Sequence, residues 1–437
     1  MQALTLTMIV VVTTFEFFAT GDHWGRWVIL PGAARYVAEA LGAAALVYVV
    51  LVGTQTRFRF VRPVYWIVFA TLLTTIVCGA VANSVEAGPV FAGIRNYLRA
   101  IGWFFVPCVY AFTERQVLSQ LRALMAVGLI QIPFALQQRW TTVDVGSSTG
   151  DLTVGTLNGS GTLSIFLTCG ICIAAALFVR RRLQATQFVL LFLLLLLPMT
   201  INETKAVIVM IPIGMIVAFL SVAMPGERLK VILVSVALLG VSSTIFVPVY
   251  DYFRKDLPYA VPITEFMTDS ARIERYLRKG SDVGTTGQVG RVDAIVVSMR
   301  QLSADPVRLA FGYGIGNVSE SALGHGFRGQ YFRLLGPFAS TSLARLALEL
   351  GVLGVFLVVA LMWLILRDAR IVARNTSDLA GALAGGWVGV VVVMGISMAY
   401  MDVVAQASLT FLFWYFSGLI VAARMRSSLA ATPRQSK

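Results

Sequence analysis

The chain has 437 residues, of which 57% are hydrophobic and only 13% are charged, and its mean hydropathy is +0.79. This balance excludes an ordinary soluble domain, because the chain repeats apolar segments of about 20 residues, the length of a transmembrane helix. The formal net charge of +13 does not indicate a nucleic-acid partner, because about half of the basic residues lie in short loops between apolar segments. The composition predicts a polytopic membrane protein.

About twelve spans are predicted in chain order, near residues 3–20, 36–53, 63–83, 89–112, 119–137, 160–179, 186–201, 205–223, 230–250, 343–366, 380–400 and 406–423. The first segment contains a carboxylate, Glu16. The predicted fold is all-α. Its parts are 1–250 with spans one to nine, 251–342 as a loop domain, 343–424 with spans ten to twelve, and a tail at 425–437.

Basic residues predict the orientation of the chain, because short loops rich in lysine and arginine stay on the cytoplasmic side. Seventeen of them occupy one alternating set of loops, at 57–62, 115–122, 180–182, 228–230, 367–374 and in the tail from Arg424. The other short loops contain four: Arg26, Arg35, Arg139 and Lys205. Both termini are therefore predicted to be cytoplasmic, with the 251–342 segment on the outer side.

The outer segment carries periodic apolar stretches, VDAIVVSMRQL (292–302) and YFRLL (331–335), which predict short helices near the membrane surface. Between them, Gly312, Gly314 and Gly316 punctuate a turn. These glycines allow the backbone to approach a ligand closely, or they mark a plain loop, and the sequence leaves both interpretations open.

Several motifs together resemble the O-antigen polymerase and O-antigen ligase superfamily, which includes exopolysaccharide polymerases. The resemblance covers roughly residues 90 to 365. It rests on these stretches, in this order: IRNYLRAIGWFF (94–105), TVGTLNGSGTLSIFL (153–167), NETKAVIVMIP (202–212), GR (290–291), FGYGIG (311–316) and LARLALELGVLGVF (343–356).

The resemblance implies a GT-C-like architecture in the bacterial inner membrane. It also implies an inverting, metal-independent glycosyltransferase without a cofactor, which moves a glycan from undecaprenyl diphosphate to an acceptor hydroxyl at the periplasmic face. Besides the lipid-linked oligosaccharide and the bilayer, a chain-length regulator or export machinery is an implied partner; nucleic acid is not. Breaking a sugar–diphosphate bond develops negative charge on the leaving oxygens, so fixed cations are expected near the outer face.

The first candidate cations are Arg95 and Arg99, which lie one helical turn apart in the outer half of a predicted span. A charge deep in a bilayer costs about 2.5–3.5 kcal/mol on insertion scales, so they face a polar cavity or snorkel to the surface. Lys205 stands at the outer start of another span, and Glu203, two residues before it, is a candidate for substrate binding. That joint is a cationic substrate site or an anchored turn.

Arg291 is the strongest single candidate, because the GR start of a helix matches the loop arginine of the superfamily. Arg345 follows, as a substrate-binding residue or as the ion-pair partner of Glu349, four positions on. Tyr313, inside the FGYGIG motif, is a further candidate for substrate binding. The predicted catalytic residues are Arg291, His325 and Lys205.

The general base is the weakest part of the resemblance. Ligases typically carry a histidine nine residues before the glutamate that corresponds to Glu349, and this chain has Ser340 there. His325 is the only histidine of the outer segment, and it is either the base or a surface residue.

Three functions are compatible with these features. A polymerase extends one lipid-linked glycan with another, a ligase transfers the glycan to lipid A core, and a flippase or transporter moves the lipid-linked sugar without chemistry. The large outer segment favours an enzyme over a transporter. The NETKA stretch and the missing histidine favour the polymerase.

Overall fold

The computed structural model describes residues 1–21, 27–56, 58, 60–144, 152–202, 204–254, 261–274, 277–278, 289–321 and 323–431. Within these ranges the chain is helical and contains no β-strand. The helices, in chain order, are α1 (Gln2–Thr20), α2 (Val37–Thr56), α3 (Pro63–Ala82), α4 (Ala87–Leu98), α5 (Ile101–Val109), α6 (Glu114–Asp144), α7 (Ser160–Val179), α8 (Ala185–Ile201), α9 (Val207–Val222), α10 (Arg228–Arg254), α11 (Ile263–Thr268), α12 (Ser270–Glu274), α13 (Arg291–Leu302), α14 (Pro306–Phe311), α15 (Phe332–Leu335), α16 (Ser342–Asn375), α17 (Leu379–Tyr400) and α18 (Ala407–Ala431).

Nine helices of the described part are long and apolar enough to cross a membrane: α1, α2 with the 3-10 turn before it, α3, α6, α7, α10, α16, α17 and α18. Two further apolar helices, α8 and α9, have 17 and 16 residues. At 1.5 Å per residue they are about 25 Å long, slightly less than a hydrocarbon core of ~30 Å. The prediction of an all-helical polytopic membrane protein is confirmed, whereas the number of crossings stays a prediction.

The segment predicted as one span at 89–112 is instead broken into α4 and α5, so the prediction of a continuous helix was wrong. Helix α2 approaches the break at Arg99 and Ala100 closely, since a Cβ atom added to Gly42 would lie 2.3 Å from the Arg99 carbonyl oxygen. The short helix α5 packs between α2 and α18.

Three helices, α7, α9 and α17, form the centre of the bundle. They approach closely through glycines: a Cβ atom on Gly389 would lie 2.5 Å from the Gly214 carbonyl oxygen, and one on Gly386 would lie 2.7 Å from the Ile173 Cα atom. Small residues allow such close backbone packing, which holds helices together in a lipid environment where hydrophobic burial contributes little.

Helix α16 is interrupted at Gly351, whose φ of 68° and ψ of −171° are not helical. Glycine adopts a positive φ readily because it has no Cβ atom, whereas other residues are strained in this conformation. A Cβ atom at this position would also lie 2.3 Å from the Ala310 carbonyl oxygen, so the end of α14 fits against the interruption. The first turns of α16 are thereby set apart from its long apolar part.

The short helices predicted for the 251–342 segment are present in its described parts, as α11 to α15. Helix α13 contacts α16 and α17, and α14 contacts α3 and α16. The segment therefore packs onto one end of the bundle. We call this the outer end, because it also carries the loops that the charge rule predicts to lie outside. The opposite end is the inner end.

Candidate functional site

A cavity of about 250 Å³ lies at the outer end. Its wall is built by the last turns of α1, the start of α2, the end of α4, the first turns of α16 and the loop 401–406 between α17 and α18. Seven charged side chains are part of its lining: Arg35, Arg95, Arg99, Arg345, Glu16, Glu39 and Glu320. We call it the arginine cavity. Three of the four arginines are among the candidates predicted from the sequence.

Arg95 and Arg99 face the arginine cavity from the end of α4, on one side of the helix as their spacing predicts. Arg95 holds the carboxylate of Glu39 in a bidentate pair, one bond of which is 2.7 Å long. Arg99 lies 3.4 Å from the same carboxylate and donates a 2.6 Å hydrogen bond to the Ala405 carbonyl oxygen. Two guanidinium groups therefore share one carboxylate, and the pair carries an excess positive charge.

Arg345 is held by groups from three parts of the chain. It forms an ion pair with Asp402 in the loop 401–406, and its Nη2 atom donates a 2.5 Å hydrogen bond to the Ser319 hydroxyl oxygen. That hydroxyl donates in turn to a carboxylate oxygen of Glu349 at 2.5 Å. The Arg345 Nε atom lies 3.9 Å from the Glu349 Oε2 atom. The predicted pairing with Glu349 is thus the weaker of two, and Asp402 is the main partner.

A stacked aromatic ring connects two of the cavity arginines. The Arg35 guanidinium lies 4.8 Å from the ring centre of Tyr36 and donates a 2.7 Å hydrogen bond to its hydroxyl oxygen. The Arg95 guanidinium lies 5.6 Å from the centre of the same ring. Guanidinium groups over an aromatic face are attracted by its negative charge density. Tyr36 therefore brings a third cation close to the pair on α4.

The glycines of the FGYGIG motif pack against protein rather than line a ligand site. All three have positive φ values, from 69° to 88°. A Cβ atom on Gly312 would meet the backbone of α16 and one on Gly316 would lie 1.9 Å from the Pro89 carbonyl oxygen on α4. The interpretation in which these glycines admit a ligand was therefore wrong, because helix backbone already occupies that space.

Tyr313 is buried in a small apolar cluster with neighbours that include Leu302 and Leu348. Its amide donates a 2.7 Å hydrogen bond to the Leu348 carbonyl oxygen, and its ring lies 4.8 Å from that of Tyr331. The residue is only 4% exposed. In this structure Tyr313 packs the motif against α16, and its substrate-binding role stays a prediction.

Arg291 lies at the first position of α13, outside the lining of the arginine cavity. Its Nε atom donates a 3.0 Å hydrogen bond to the Tyr400 carbonyl oxygen, and its guanidinium lies 4.5 Å from the centre of the Tyr400 ring. Tyr400 precedes the loop that carries Asp402, the partner of Arg345. Arg291 and Arg345 therefore hold the two sides of one short loop.

Lys205 lies at the start of α9, and its Nζ atom is 4.8 Å from the ring centre of Phe266 on α11. Nearby, the Asn202 side chain donates to the Ser160 carbonyl oxygen at 2.9 Å and fixes the end of α8 against the start of α7. Glu203, predicted to bind substrate, lies outside the described residues. Lys205 is not part of the arginine cavity.

His325 lies in a 3-10 turn, 325–327, beside α4. Its side chain is exposed, and it does not line the arginine cavity. The sequence missed the residues that do organise the cavity, namely Glu39 and Asp402. A signal for the second was available, because Asp402 is the only acidic residue after Asp378.

The arrangement can bind a compact anion. Arg35, Arg95 and Arg99 face the paired carboxylate of Glu39 and the carboxylate of Glu16, which interacts electrostatically with Arg99, so these five side chains carry one net positive charge. Arginine suits such a role, because its planar guanidinium forms bidentate hydrogen bonds with phosphate oxygens and stays charged in a partly buried place.

Comparison with known proteins adds no family assignment. No family model matches this chain. No curated protein matches it either.

Proposed function

We propose that this chain is a membrane glycosyltransferase that transfers an undecaprenyl-diphosphate-linked glycan onto a second lipid-linked glycan, as a polysaccharide polymerase. The proposal includes a GT-C-like fold with about twelve spans, in the bacterial inner membrane with both termini in the cytoplasm. The observation that carries it is the convergence of Arg35, Arg95, Arg99 and Arg345 on one cavity at the end of the bundle that the charge rule assigns to the outside.

The chemistry requires cations at this point. When the acceptor oxygen bonds to the anomeric carbon, the bond to the diphosphate breaks and its electron pair passes to the diphosphate oxygen. Positive groups that are already in place stabilise that charge without reorganisation. Such preorganised electrostatic stabilisation is usually the largest contribution to an enzyme's rate. In the proposal, Arg95 and Arg99 release part of their hold on Glu39 and bind the diphosphate, while Arg35 contributes from its place beside Tyr36.

The residues around the loop 401–406 have a supporting role in this proposal. Arg345 fixes the loop through Asp402, and Arg291 fixes it through the Tyr400 carbonyl. Because Ala405 of this loop accepts a hydrogen bond from Arg99, the position of the loop sets the position of a diphosphate ligand. Arg291 is thus proposed as a positioning residue, and direct contact with the diphosphate remains the alternative that the sequence suggested.

One experiment tests the proposal and separates the three functions. Purified protein is reconstituted with an undecaprenyl-diphosphate-linked repeat unit as the donor, with either the same molecule or lipid A core as the acceptor. Lengthened lipid-linked products support the polymerase. Transfer only to lipid A core would establish the ligase, and movement of the donor between leaflets without any product would establish a flippase.

A further inference from the structure

The arginine cavity contains three glutamates, and two of them are already engaged. Glu39 is held by Arg95 and Arg99. Glu320 is held by Arg328, at 2.6 Å. The third, Glu16, has no ion pair and no hydrogen bond to its carboxylate in the part of the chain that the structure describes. Arg99 attracts this carboxylate electrostatically, but among the three cavity glutamates it is the one that neither an ion pair nor a hydrogen bond holds within the described residues.

The position of Glu16 also needs an explanation. It lies in the last turns of α1, an apolar helix of membrane-spanning length, four residues before the helix ends at Thr20. An ionised carboxylate in such a helix is unfavourable unless it faces a polar space. The arginine cavity is that space, because Glu16 lines it together with Phe15 and Arg99, and Glu16 interacts electrostatically with Arg99.

A transfer reaction of the proposed kind needs a group that takes the proton of the acceptor hydroxyl. Both His325, predicted for this task, and Glu16 are exposed residues, but only Glu16 is part of the cavity lining. The unpaired glutamate lies among the arginines that would bind the leaving diphosphate. A carboxylate and the cations thus share one small chamber, as attack on a diphosphate-bound carbon requires.

We propose that Glu16 is the general base of this glycosyl transfer. The oxygen of the acceptor hydroxyl bonds to the anomeric carbon, while the bond from that carbon to the diphosphate oxygen breaks and its electrons remain on the diphosphate. The hydroxyl proton passes to the Glu16 carboxylate, which becomes a neutral acid and returns the proton to water through the cavity mouth. This assignment rests on the proposed function of the chain.

The test compares Glu16→Gln and Glu16→Ala with the unmodified protein in the reconstituted transfer assay. A general base contributes roughly 10²–10⁴ in rate, so Glu16→Gln should lower turnover by at least the smaller factor. Binding of the lipid-linked donor should stay within threefold of the unmodified protein, which also verifies that the variant is folded. Glu16→Asp keeps the carboxylate and should retain more turnover than Glu16→Gln.

Formate provides a second measurement that a structural role would not produce. In Glu16→Ala the space of the side chain is vacant, so added formate should restore part of the turnover, whereas the same concentration of chloride should not. The matched control is Glu114→Gln, a surface glutamate paired with Arg182 at the inner end, which should not alter turnover.

The outcomes distinguish a failure of the Glu16 assignment from a failure of the proposed function. If the unmodified protein transfers glycan and Glu16→Gln does so equally fast, Glu16 is not the base, although the proposed function stands. If the unmodified protein binds no donor and forms no product, the function fails and the assignment of Glu16 fails with it.

Discussion

The two ends of the bundle each contain a cavity of similar size, about 250 Å³ at the outer end and about 300 Å³ at the inner end. Their arginines are used differently. At the inner end, Arg426 donates hydrogen bonds to the carbonyl oxygens of Pro107 and Tyr110 and so completes the end of the short helix α5. At the outer end, Arg95 and Arg99 share one carboxylate that comes from another helix.

Cavity volume alone therefore does not indicate function. An arginine that satisfies the carbonyl groups of a helix end has a structural role, because these groups need donors wherever the helix stops. Arginines that share a carboxylate retain charge for a ligand. The balance of ion pairs therefore distinguishes the outer cavity from the inner one, and this difference can be tested.

The largest expected effect concerns the side of the membrane that each end of the bundle faces. Reporter fusions at residues 150 and 300 should be active only outside the cytoplasm, and fusions at 181 and 370 only inside it. The reason is the asymmetry of basic residues between the alternate loops. A cytoplasmic signal at residue 300 would place the arginine cavity on the wrong side for a lipid-linked diphosphate in the outer leaflet.

The second prediction compares a buried ion pair at each end. Arg345→Ala leaves Asp402 and Glu349 without their cation, and removal of one partner of a buried pair costs about 3–5 kcal/mol. Asp368→Ala at the inner end removes the partner of Arg62, 2.5 Å away, and of the Tyr65 hydroxyl. Thermal unfolding in detergent should show that both variants are less stable than the unmodified protein.

Activity per folded molecule then separates these two variants. Arg345→Ala should lose glycan transfer, because the loop 401–406 is released at the proposed site, while Asp368→Ala should keep it. Equal loss of specific activity in both variants would mean that the outer pair has no functional role beyond stability.

The third prediction concerns a single cation of the arginine cavity. Arg95→Ala should lower turnover by about 10²–10³-fold, the usual effect of removing one preorganised donor to a developing negative charge. Arg95→Lys should recover only part of it, because an ammonium group cannot make bidentate contacts. Initial rates at equal protein amounts measure both.

The matched control for Arg95 is Arg122→Ala, which removes an exposed arginine from α6. Its rate should stay within about twofold of the unmodified protein, because a surface charge away from the site contributes little. A normal rate in Arg95→Ala would show that the arginine cavity is not the site of glycan transfer.

The smallest expected effect is that of Arg291→Ala. Its hydrogen bond to the Tyr400 carbonyl belongs to the class worth roughly 1.5–3 kcal/mol, so misplacement of the loop should lower turnover by about 10–10²-fold. The measurement is turnover together with the KM for the donor, which should change little. A loss larger than that of Arg95→Ala would instead assign Arg291 to the diphosphate site.

Much of the fold could be predicted from the sequence, because apolar length and loop charge are local properties. The break between α4 and α5 could not, since it depends on the approach of Gly42 from another helix to the Arg99 carbonyl. The role of the FGYGIG glycines was also hidden, because their spacing is the same whether a ligand or a helix backbone lies beside them.

For the site, the spacing of Arg95 and Arg99 predicted a shared face, and both side chains reach Glu39. Their partner lies 56 residues from Arg95, and Asp402 lies 57 residues from Arg345. Such pairings arise from tertiary packing and leave no local pattern. His325 was a candidate base because it is the only histidine of the outer segment, and that role stays a prediction.

The most direct test of the central claim is where a lipid-linked diphosphate binds. A photoactivatable analogue of undecaprenyl diphosphate, with the reactive group next to the diphosphate, can be cross-linked to the purified protein and mapped by peptide mass spectrometry. The account predicts labels on α1, α4 or the loop 401–406, and loss of these labels when inorganic diphosphate is added in excess. Labels confined to the inner cavity around Arg426, or scattered evenly over the apolar helices, would contradict it.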